Sequence, residues 1–408
     1  MTESSNFVIV GGGLAAAKAA EAMRANDFGG NIVVIGNEDH LPYERPPLSK
    51  EFLADKKALD DFTVHDSDWY RDCNVEWRPG TEVTAIDRPA HTVVLANGDT
   101  VAYDKLLLAT GSRPRRPRIP GADAAGVHYL RTYDDAADLK SALRGGSSLA
   151  VVGAGWIGLE VAAGARGNDV DVTVVETARL PLLAALGAEA AEVFADLHRA
   201  HGVDLRLESN VAEITTESGA ATGLRLADGS TLPADAVLVA VGATPNIELA
   251  EQAGLKTGYG GVLVDAALRT SDPDIFAVGD IAAAEHPFFD TRIRTEHWAN
   301  ALNQPAVAAQ TMLGNEAKYD ELPYFFTDQY DLGMEYVGHA PDYERVVFRG
   351  DLDKREFIAF WLDGQNRVLA GMNVNVWDVV DDIKALIKSR EPVVVEQLVD
   401  LQIPLTTS

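Results

Sequence analysis

An α/β fold with two separate parallel-sheet units and a smaller α+β tail is predicted by three observations. A short apolar run, a glycine turn and a helix-forming stretch follow one another twice, at Phe7 to Ala25 and again from Leu149. A third apolar strand, Ala236 to Val241, demands a second crossover after the second unit. From about Pro323 the pattern changes to short strands rich in Tyr, Phe and Val. With 408 residues the chain has room for two or three domains, each with a sizeable core.

The elements follow in order. Phe7 to Val10 is a strand, glycines turn the chain, and the alanine-rich stretch Leu14 to Ala25 is a helix. Ile32 to Ile35 is the next strand. Asn97-Gly98-Asp99 is a hairpin signal, followed by the strand Lys105 to Ala109 and the turn Thr110-Gly111-Ser112. Arg113 to Pro120, rich in Arg and Pro, reads as a linker. The second unit repeats the grammar with the strand Leu149 to Val152, a helix from about Trp156 and the strand Val172 to Val175. Ala236 to Val241 runs into Gly242-Ala243-Thr244-Pro245-Asn246, where the proline ends any strand. The tail supplies strands at Glu335 to Gly338, Arg345 to Phe348 and Glu356 to Leu362, then helices around Val379 to Ser389 and Val393 to Asp400. Disorder is expected at the termini and, at most, in Asp55 to Asp61.

Composition excludes several classes. Acidic residues outnumber basic ones 62 to 35, a net charge of −27, the wrong sign for bulk attraction to a nucleic-acid backbone. Met1 to Asn6 has no basic segment before the first apolar run, and no stretch approaches the ~18 apolar residues that span a bilayer. A soluble, cytoplasmic protein with no membrane partner is expected. The single cysteine, Cys73, rules out an internal disulfide, a redox Cys pair and an iron–sulfur cluster held by four thiolates of this chain. Cys73 itself reads as a small, partly buried apolar residue, and no metal site is expected.

Gly11-x-Gly13-x-x-Ala16 lies between a strand and a helix, where glycines permit the turn and the helix N-terminus faces a pyrophosphate. The ribose-binding acid belongs at the end of the next strand, but Gly36 stands there; Asn37 or Glu38 reaches the ribose instead. Gly153-x-Gly155-x-x-Gly158 is the complete form of the motif, and Val172 to Val175 runs into Glu176, close to the ~20-residue spacing of dinucleotide folds. A carboxylate there accepts from a ribose 2′-OH and repels a 2′-phosphate, which favours NADH over NADPH. Two fingerprints imply two nucleotides. With no Cys pair, a flavin is the internal hydride acceptor, and a flavin can split two electrons into single ones.

Further blocks complete the pattern: Arg45-Pro46-Pro47-Leu48-Ser49-Lys50, Ala109-Thr110-Gly111, Ile157-Gly158-Leu159-Glu160, Phe276-Ala277-Val278-Gly279-Asp280 and Asp328-Gln329-Tyr330. Over essentially the whole chain these resemble the oxygenase-coupled, putidaredoxin-reductase-like NADH:ferredoxin reductases, which share the fold of glutathione reductase and apoptosis-inducing factor. The resemblance implies two Rossmann-like nucleotide-binding domains and a small α+β C-terminal domain. An FAD domain at 1–112 and 246–320 would hold an inserted NAD domain at 113–245, with a reductase C-terminal domain at 321–408. It places FAD against Gly11, Gly13, Leu14, Ala15, Asn37 or Glu38, Arg45, Lys50, Val83, Ala109, Thr110, Gly111, Arg131, Gly279, Asp280 and Trp298. NADH would meet Gly153, Gly155, Ile157, Gly158, Glu176 and Gly242. Lys50 and Glu160 would form an ion pair beside the flavin as the catalytic residues.

The activity so implied is oxidation of NADH and one-electron reduction of a small iron–sulfur protein, with a [2Fe–2S] ferredoxin feeding an oxygenase or P450 as the first expectation. The alternatives are a rubredoxin, a quinone or monodehydroascorbate-type acceptor, and an apoptosis-inducing-factor-like role in which turnover is incidental. Branches that need a reactive Cys near the flavin are disfavoured, because the Lys50 region has none. Against the global acidity, Arg292 or Arg294, helped by Lys384 and Lys388, is the favoured docking island over the linker arginines Arg113, Arg115, Arg116 and Arg118. The chain departs from the family at Phe326, where relatives often have Trp, and at Thr244, where they often have Arg.

Overall fold

The computed structural model describes residues 5–405. The chain ends expected to be disordered fall partly outside them, at residues 1–4 and 406–408. The described chain divides into two compact units, one of Met1–Glu44, Leu59–Arg113 and Thr244–Pro323, the other of Arg45–Ala58, Pro114–Ala243 and Tyr324–Ser408.

The first unit is built on a five-stranded parallel sheet in the order Ile275–Ala277, Lys105–Leu108, Asn6–Val10, Asn31–Ile35, Val75–Arg78. Phe7, Val8 and Ile9 are fully buried, as near-continuous apolar strands of a parallel sheet covered on both faces must be. The helix Leu14–Ala25 packs against the helix Trp298–Met312. Small buried residues, Ala16, Ala19 and Ala20 on one and Ala308 and Ala309 on the other, let the backbones approach. The hairpin at Asn97-Gly98 joins Thr92–Leu95 to Thr100–Ala102 as its dipeptide predicts. Cys73 is half-buried and packs against this core.

The second unit holds another parallel sheet, in the order Asp204–Arg206, Asp171–Val175, Ser148–Val152, Ala236–Val239, Val127–His128. The strand predicted to reach Val241 stops at Val239, just before the chain turns at Gly242 (φ +103°). The same unit contains the five-stranded antiparallel tail sheet, ordered Tyr324–Gln329, Leu332–Gly338, Val368–Val374, Glu356–Leu362, Arg345–Asp351. The Trp361 indole N–H donates to the Leu186 carbonyl at 3.2 Å. The Arg349 guanidinium donates to the carbonyls of Leu398, Asp400 and Ile403, which pins the last described stretch to the sheet.

One expectation is corrected. Asp55 to Asp61 is ordered: Asp55 pairs with Lys140 at 2.6 Å, and Leu59–Phe62 is a turn of 3₁₀-helix. The arginine-rich stretch does begin at a boundary between the two units, at Arg113 and Pro114, as a linker would; its start, Ser112–Pro114, is a short strand, and the Arg115 N–H donates to the Gly242 carbonyl at 2.9 Å.

Candidate active site

In the first unit the parallel strands Asn6–Val10, Asn31–Ile35, Lys105–Leu108 and Ile275–Ala277 all end on one sheet edge. They deliver Gly11, Asn37 and Glu38, Ala109, and Gly279 with Asp280 to it, the edge where open α/β sheets bind ligands. Gly11 has φ +135°, and a Cβ there would lie 2.1 Å from the Ala109 carbonyl oxygen, so only glycine fits. The helix that follows starts at Leu14 and Ala15 from Gly13, with no side-chain cap on its first N–H groups. Such an N-terminus receives an anion. A Cβ at Gly279 would meet nothing nearer than Ala15 Cβ, at 3.8 Å, so backbone there is open to approach.

Two carboxylates flank this helix start. Glu38 is half-buried and accepts from the Tyr43 hydroxyl at 2.5 Å, whereas Asn37 is exposed. Asp280 is 7% exposed and accepts from the Ser112 hydroxyl at 2.8 Å. Thr110 and Gly111 are clasped by Asn246, whose amide and backbone bond the Ala109-Thr110-Gly111 turn. Val83 is buried at the start of the strand Val83–Asp87, and Trp298 is half-buried at the start of its helix. The donor set, helix N–H groups plus acceptor carboxylates, fits a dinucleotide with its pyrophosphate on the helix.

In the second unit Gly155 caps the helix Trp156–Gly167 without a side-chain bond, and a Cβ at Gly155 would meet nothing within 4 Å. Gly158 lies against the strand turn: a Cβ there would stand 2.2 Å from the Gly153 carbonyl oxygen. Glu176 is held by the N–H groups of Ala154 and Ala178, both at 2.8 Å, and by the Thr177 hydroxyl at 3.0 Å. Its carboxylate is thereby fixed at the lip of the glycine turn with lone pairs to spare. Ile157 is an unusually exposed apolar residue, at 42%, beside that turn. Gly242 lies across from Arg115. Arg45 donates to the Arg131 carbonyl at 2.5 Å, so those two predicted contacts of the flavin are neighbours within this unit.

Lys50 and Glu160 come together as predicted. Lys50 Nζ is 3.5 Å from Glu160 Oε1 and 3.6 Å from Asp328 Oδ2, and it lies over the Phe326 ring at 4.2 Å. Both side chains of the pair are more than nine-tenths buried. Glu160 also accepts from the hydroxyls of Ser49 at 2.5 Å and Thr327 at 2.6 Å. Burial pushes the Glu160 carboxyl above the usual carboxylate range, against the opposing pull of Lys50, Ser49 and Thr327. Sequence reasoning missed Ser49, Phe326 and Thr327 as partners. The first sits inside the Arg-Pro-Pro-Leu-Ser-Lys block and the other two abut Asp328-Gln329-Tyr330, so the motifs marked the neighbourhood but not the bonds.

Arg292 and Arg294, the favoured docking residues, are both engaged within the fold. Arg292 donates to the carbonyls of Val264 and Ala283 and pairs with Glu285; Arg294 donates to the carbonyls of Tyr259 and Asp280 and pairs with Glu296 at 2.6 Å. These guanidiniums tie loops to the sheet and are not free cations. Arg113 is likewise paired with Glu248 and Arg116 with Asp123. Lys384 reaches Asp381 at 3.5 Å, while Lys388 is exposed. Among the described residues no cluster of His, Cys, Asp and Glu could hold a metal ion, and no helix is long and apolar enough to cross a membrane.

Comparison with known proteins gives this geometry its family. Residues 5–305 match the pyridine nucleotide-disulphide oxidoreductase family, and residues 324–408 match the reductase C-terminal domain. The chain is 38% identical to putidaredoxin reductase of Pseudomonas putida, over 99% of this chain and 97% of that protein. It is 40% identical to the ferredoxin--NAD(+) reductase component of the anthranilate 1,2-dioxygenase system of Burkholderia cepacia, over 98% of both. Among solved structures, the covalent putidaredoxin reductase–putidaredoxin complex superposes with a TM-score of 0.95 at 37% identity, covering 98% of this chain and 97% of that one. Two glycine cradles on parallel sheets, the buried Lys50–Glu160 pair and these full-length likenesses agree: the chain belongs to the pyridine nucleotide-disulphide oxidoreductase family, as a flavin- and NAD(H)-dependent oxidoreductase with a reductase C-terminal domain.

Proposed function

We propose that this protein oxidises NADH through bound FAD and passes electrons one at a time to a small iron–sulfur protein, a [2Fe–2S] ferredoxin that serves an oxygenase or P450. The observation that carries the reading is the pairing of two dinucleotide cradles with a single cysteine, half-buried Cys73. Electrons that enter at the second cradle have no thiol pair to reduce within the chain, so an external acceptor takes them. The relatives named as ferredoxin reductase components, alike over their whole length, support that acceptor. A rubredoxin-NAD(+) reductase of Pseudomonas putida, 34% identical over 91% of this chain, makes rubredoxin the second reading.

FAD supplies a hydride acceptor that releases electrons singly. We assign 1–112 and 246–320 to its domain, 113–245 to the NAD domain and 321–408 to the C-terminal domain. Leu14 and Ala15 offer helix-start N–H groups to the pyrophosphate, Asp280 accepts from flavin-chain hydroxyls, and Arg45 and Arg131 supply cations. Of the two ribose candidates Glu38 is favoured over Asn37, because Tyr43 already orients it. Glu176 accepts from the ribose of NADH. Lys50 places a buried positive charge where negative charge arrives with the hydride, and Glu160 holds it there. A cytoplasmic location follows from the NADH requirement.

The test is anaerobic reduction of the purified yellow protein by NADH, followed by mixing with ferredoxins and rubredoxins of the same organism. Rapid reoxidation by one ferredoxin is expected. Slow turnover with every one-electron acceptor, with a long-lived reduced flavin–NAD complex, would instead indicate a signalling role like that of apoptosis-inducing factor.

A further inference from the structure

Glu160 is the end of a longer polar chain inside the second unit. Thr327 Oγ1 donates its one proton to Glu160 Oε1 at 2.6 Å, and Gln329 Nε2 lies 3.3 Å behind Thr327 Oγ1. Because that hydroxyl proton is committed to the carboxylate, Thr327 can only accept from Gln329, which fixes the amide with Nε2 toward Thr327 and Oε1 away. Oε1 then faces His198 Nε2 at 2.8 Å. An amide oxygen only accepts, so Nε2 is the protonated ring nitrogen and Nδ1 is an acceptor, 3.3 Å from the Tyr330 hydroxyl. His201 stacks on the Tyr330 ring at 3.7 Å between centroids, 9° from parallel, and closes the chain on its outer side.

Every donor in this series, from Tyr330 through His198, Gln329 and Thr327, therefore points the same way, toward the carboxylate. His198 is fully buried, as are Gln329 and Thr327 to within 1%. Burial pushes the imidazole down to about 4, so it stays neutral, with one donor and one acceptor, at ordinary pH. Hydrogen bonds in such a chain polarise one another.

We propose that His198 is a positioning residue for Glu160: through Gln329 and Thr327 it drives a one-way chain of hydrogen-bond donors into the carboxylate that holds Lys50. The groups that set the charge of Glu160 are then Lys50 with Asp328 beside it, Ser49 and Thr327; beyond them lies neutral His198, and next to it Tyr330 with His201 stacked on its ring. Removing the His198 donor frees Gln329 to rotate, weakens the Thr327 bond and lets Glu160 take up a proton at higher pH. The consequence for turnover rests on the reading that Lys50 and Glu160 face the flavin; the chain itself does not.

Two measurements on the holoenzyme separate these. Ring-nitrogen NMR of histidine-labelled protein near neutral pH is expected to show His198 protonated at Nε2 alone, and Glu160→Gln is expected to shift that signal. Protonation at Nδ1, or an unmoved signal in Glu160→Gln, overturns the chain. In stopped-flow reduction by NADH, His198→Leu is expected to raise the acidic limb of the pH profile by at least about half a unit. Tyr330→Phe, a milder change, should raise it less. His198→Gln, which keeps an N–H near the Nε2 position, should return it most of the way, and His198→Leu should add nothing in a Glu160→Gln background. Acidic limbs unmoved in both His198→Leu and Tyr330→Phe overturn the positioning role. If Glu160→Gln reduces its flavin with the wild-type rate and profile, the placement of the pair at the flavin is wrong, and the NMR result alone decides whether the chain exists.

Discussion

Glu176 accepts three hydrogen bonds at the end of its strand, and on the proposal that it meets the ribose of NADH, that rigidity would make the carboxylate a selector. A 2′-phosphate held about 4 Å away would cost up to about 4 kcal/mol at an effective dielectric near 20. NADH is therefore expected to exceed NADPH at least about tenfold in kcat/KM, with Glu176→Ala narrowing the gap; equal efficiency of the two in the wild type would remove the assignment. Lys50→Met is expected to slow flavin reduction by NADH severalfold while FAD stays bound, and an unchanged stopped-flow rate would reject its role. His198 also leaves a mark on stability. Its imidazole sits at about 4 when folded and near ~6.5 when unfolded, so between those values the unfolded chain binds more protons. Stability then falls as pH drops through that window, by up to about 3 kcal/mol. Thermal unfolding across the window should show a steeper acid loss in wild type than in His198→Gln. The Lys50–Glu160 pair was legible through the family resemblance of the blocks that hold it, and the position of Glu176 at a strand end through its spacing from the glycine turn. His198 was not. It is one histidine on the helix Leu183–Ala200, and its partner Gln329 lies 131 residues away, a distance over which periodicity carries no information.

Elements were legible where local chemistry and tertiary packing agree. The helix Leu14–Ala25 and the strand Glu356–Leu362 fall where alanine content and β-branched or aromatic content put them. Strand ends were overshot at Ala109 and Val241, because ladder partners, and not side-chain character, decide where pairing stops; Leu108 is the last paired residue against Val10. The Asp55–Asp61 segment misled for a related reason. Its acidic, lysine-rich composition suggests solvated chain, yet a cross-element ion pair with Lys140 holds its first residue. The glycine turn of the second unit makes a sharper claim at this scale. Gly158 is required by its approach to the Gly153 carbonyl oxygen, where a Cβ would stand at 2.2 Å, so Gly158→Ala must push the helix Trp156–Gly167 off its strand. The expected result is a rise of about tenfold or more in KM for NADH, and because Glu160 lies on the same helix and holds Lys50, flavin reduction is expected to slow as well. An unchanged KM for NADH would remove Gly158 from the proposed NADH cradle.

At the scale of the molecule, a chain of net charge −27 that reduces a ferredoxin, as proposed, would have to dock a partner of a class expected to be acidic. Charges farther apart than the ~8 Å Debye length at physiological salt are largely screened, so a few local cations can decide the approach. Sequence could count arginines but could not tell which were already spent inside the fold. Arg292 and Arg294 bond backbone carbonyls and adjacent glutamates, and Arg294→Glu is accordingly expected to lower the thermal midpoint, as a break in structure would. Lys388, exposed in the last turn of the helix Val380–Ser389, with Lys384 one turn earlier reaching Asp381, offers a cation on the expected docking helix. Reversing both to Glu is expected to raise KM for the ferredoxin and flatten its salt dependence, while NADH-to-ferricyanide activity stays near wild type, because ferricyanide needs no protein interface. Ferredoxin reduction that ignores both the double reversal and ionic strength would exclude charge-guided docking through this helix and turn the search toward a neutral acceptor such as a quinone.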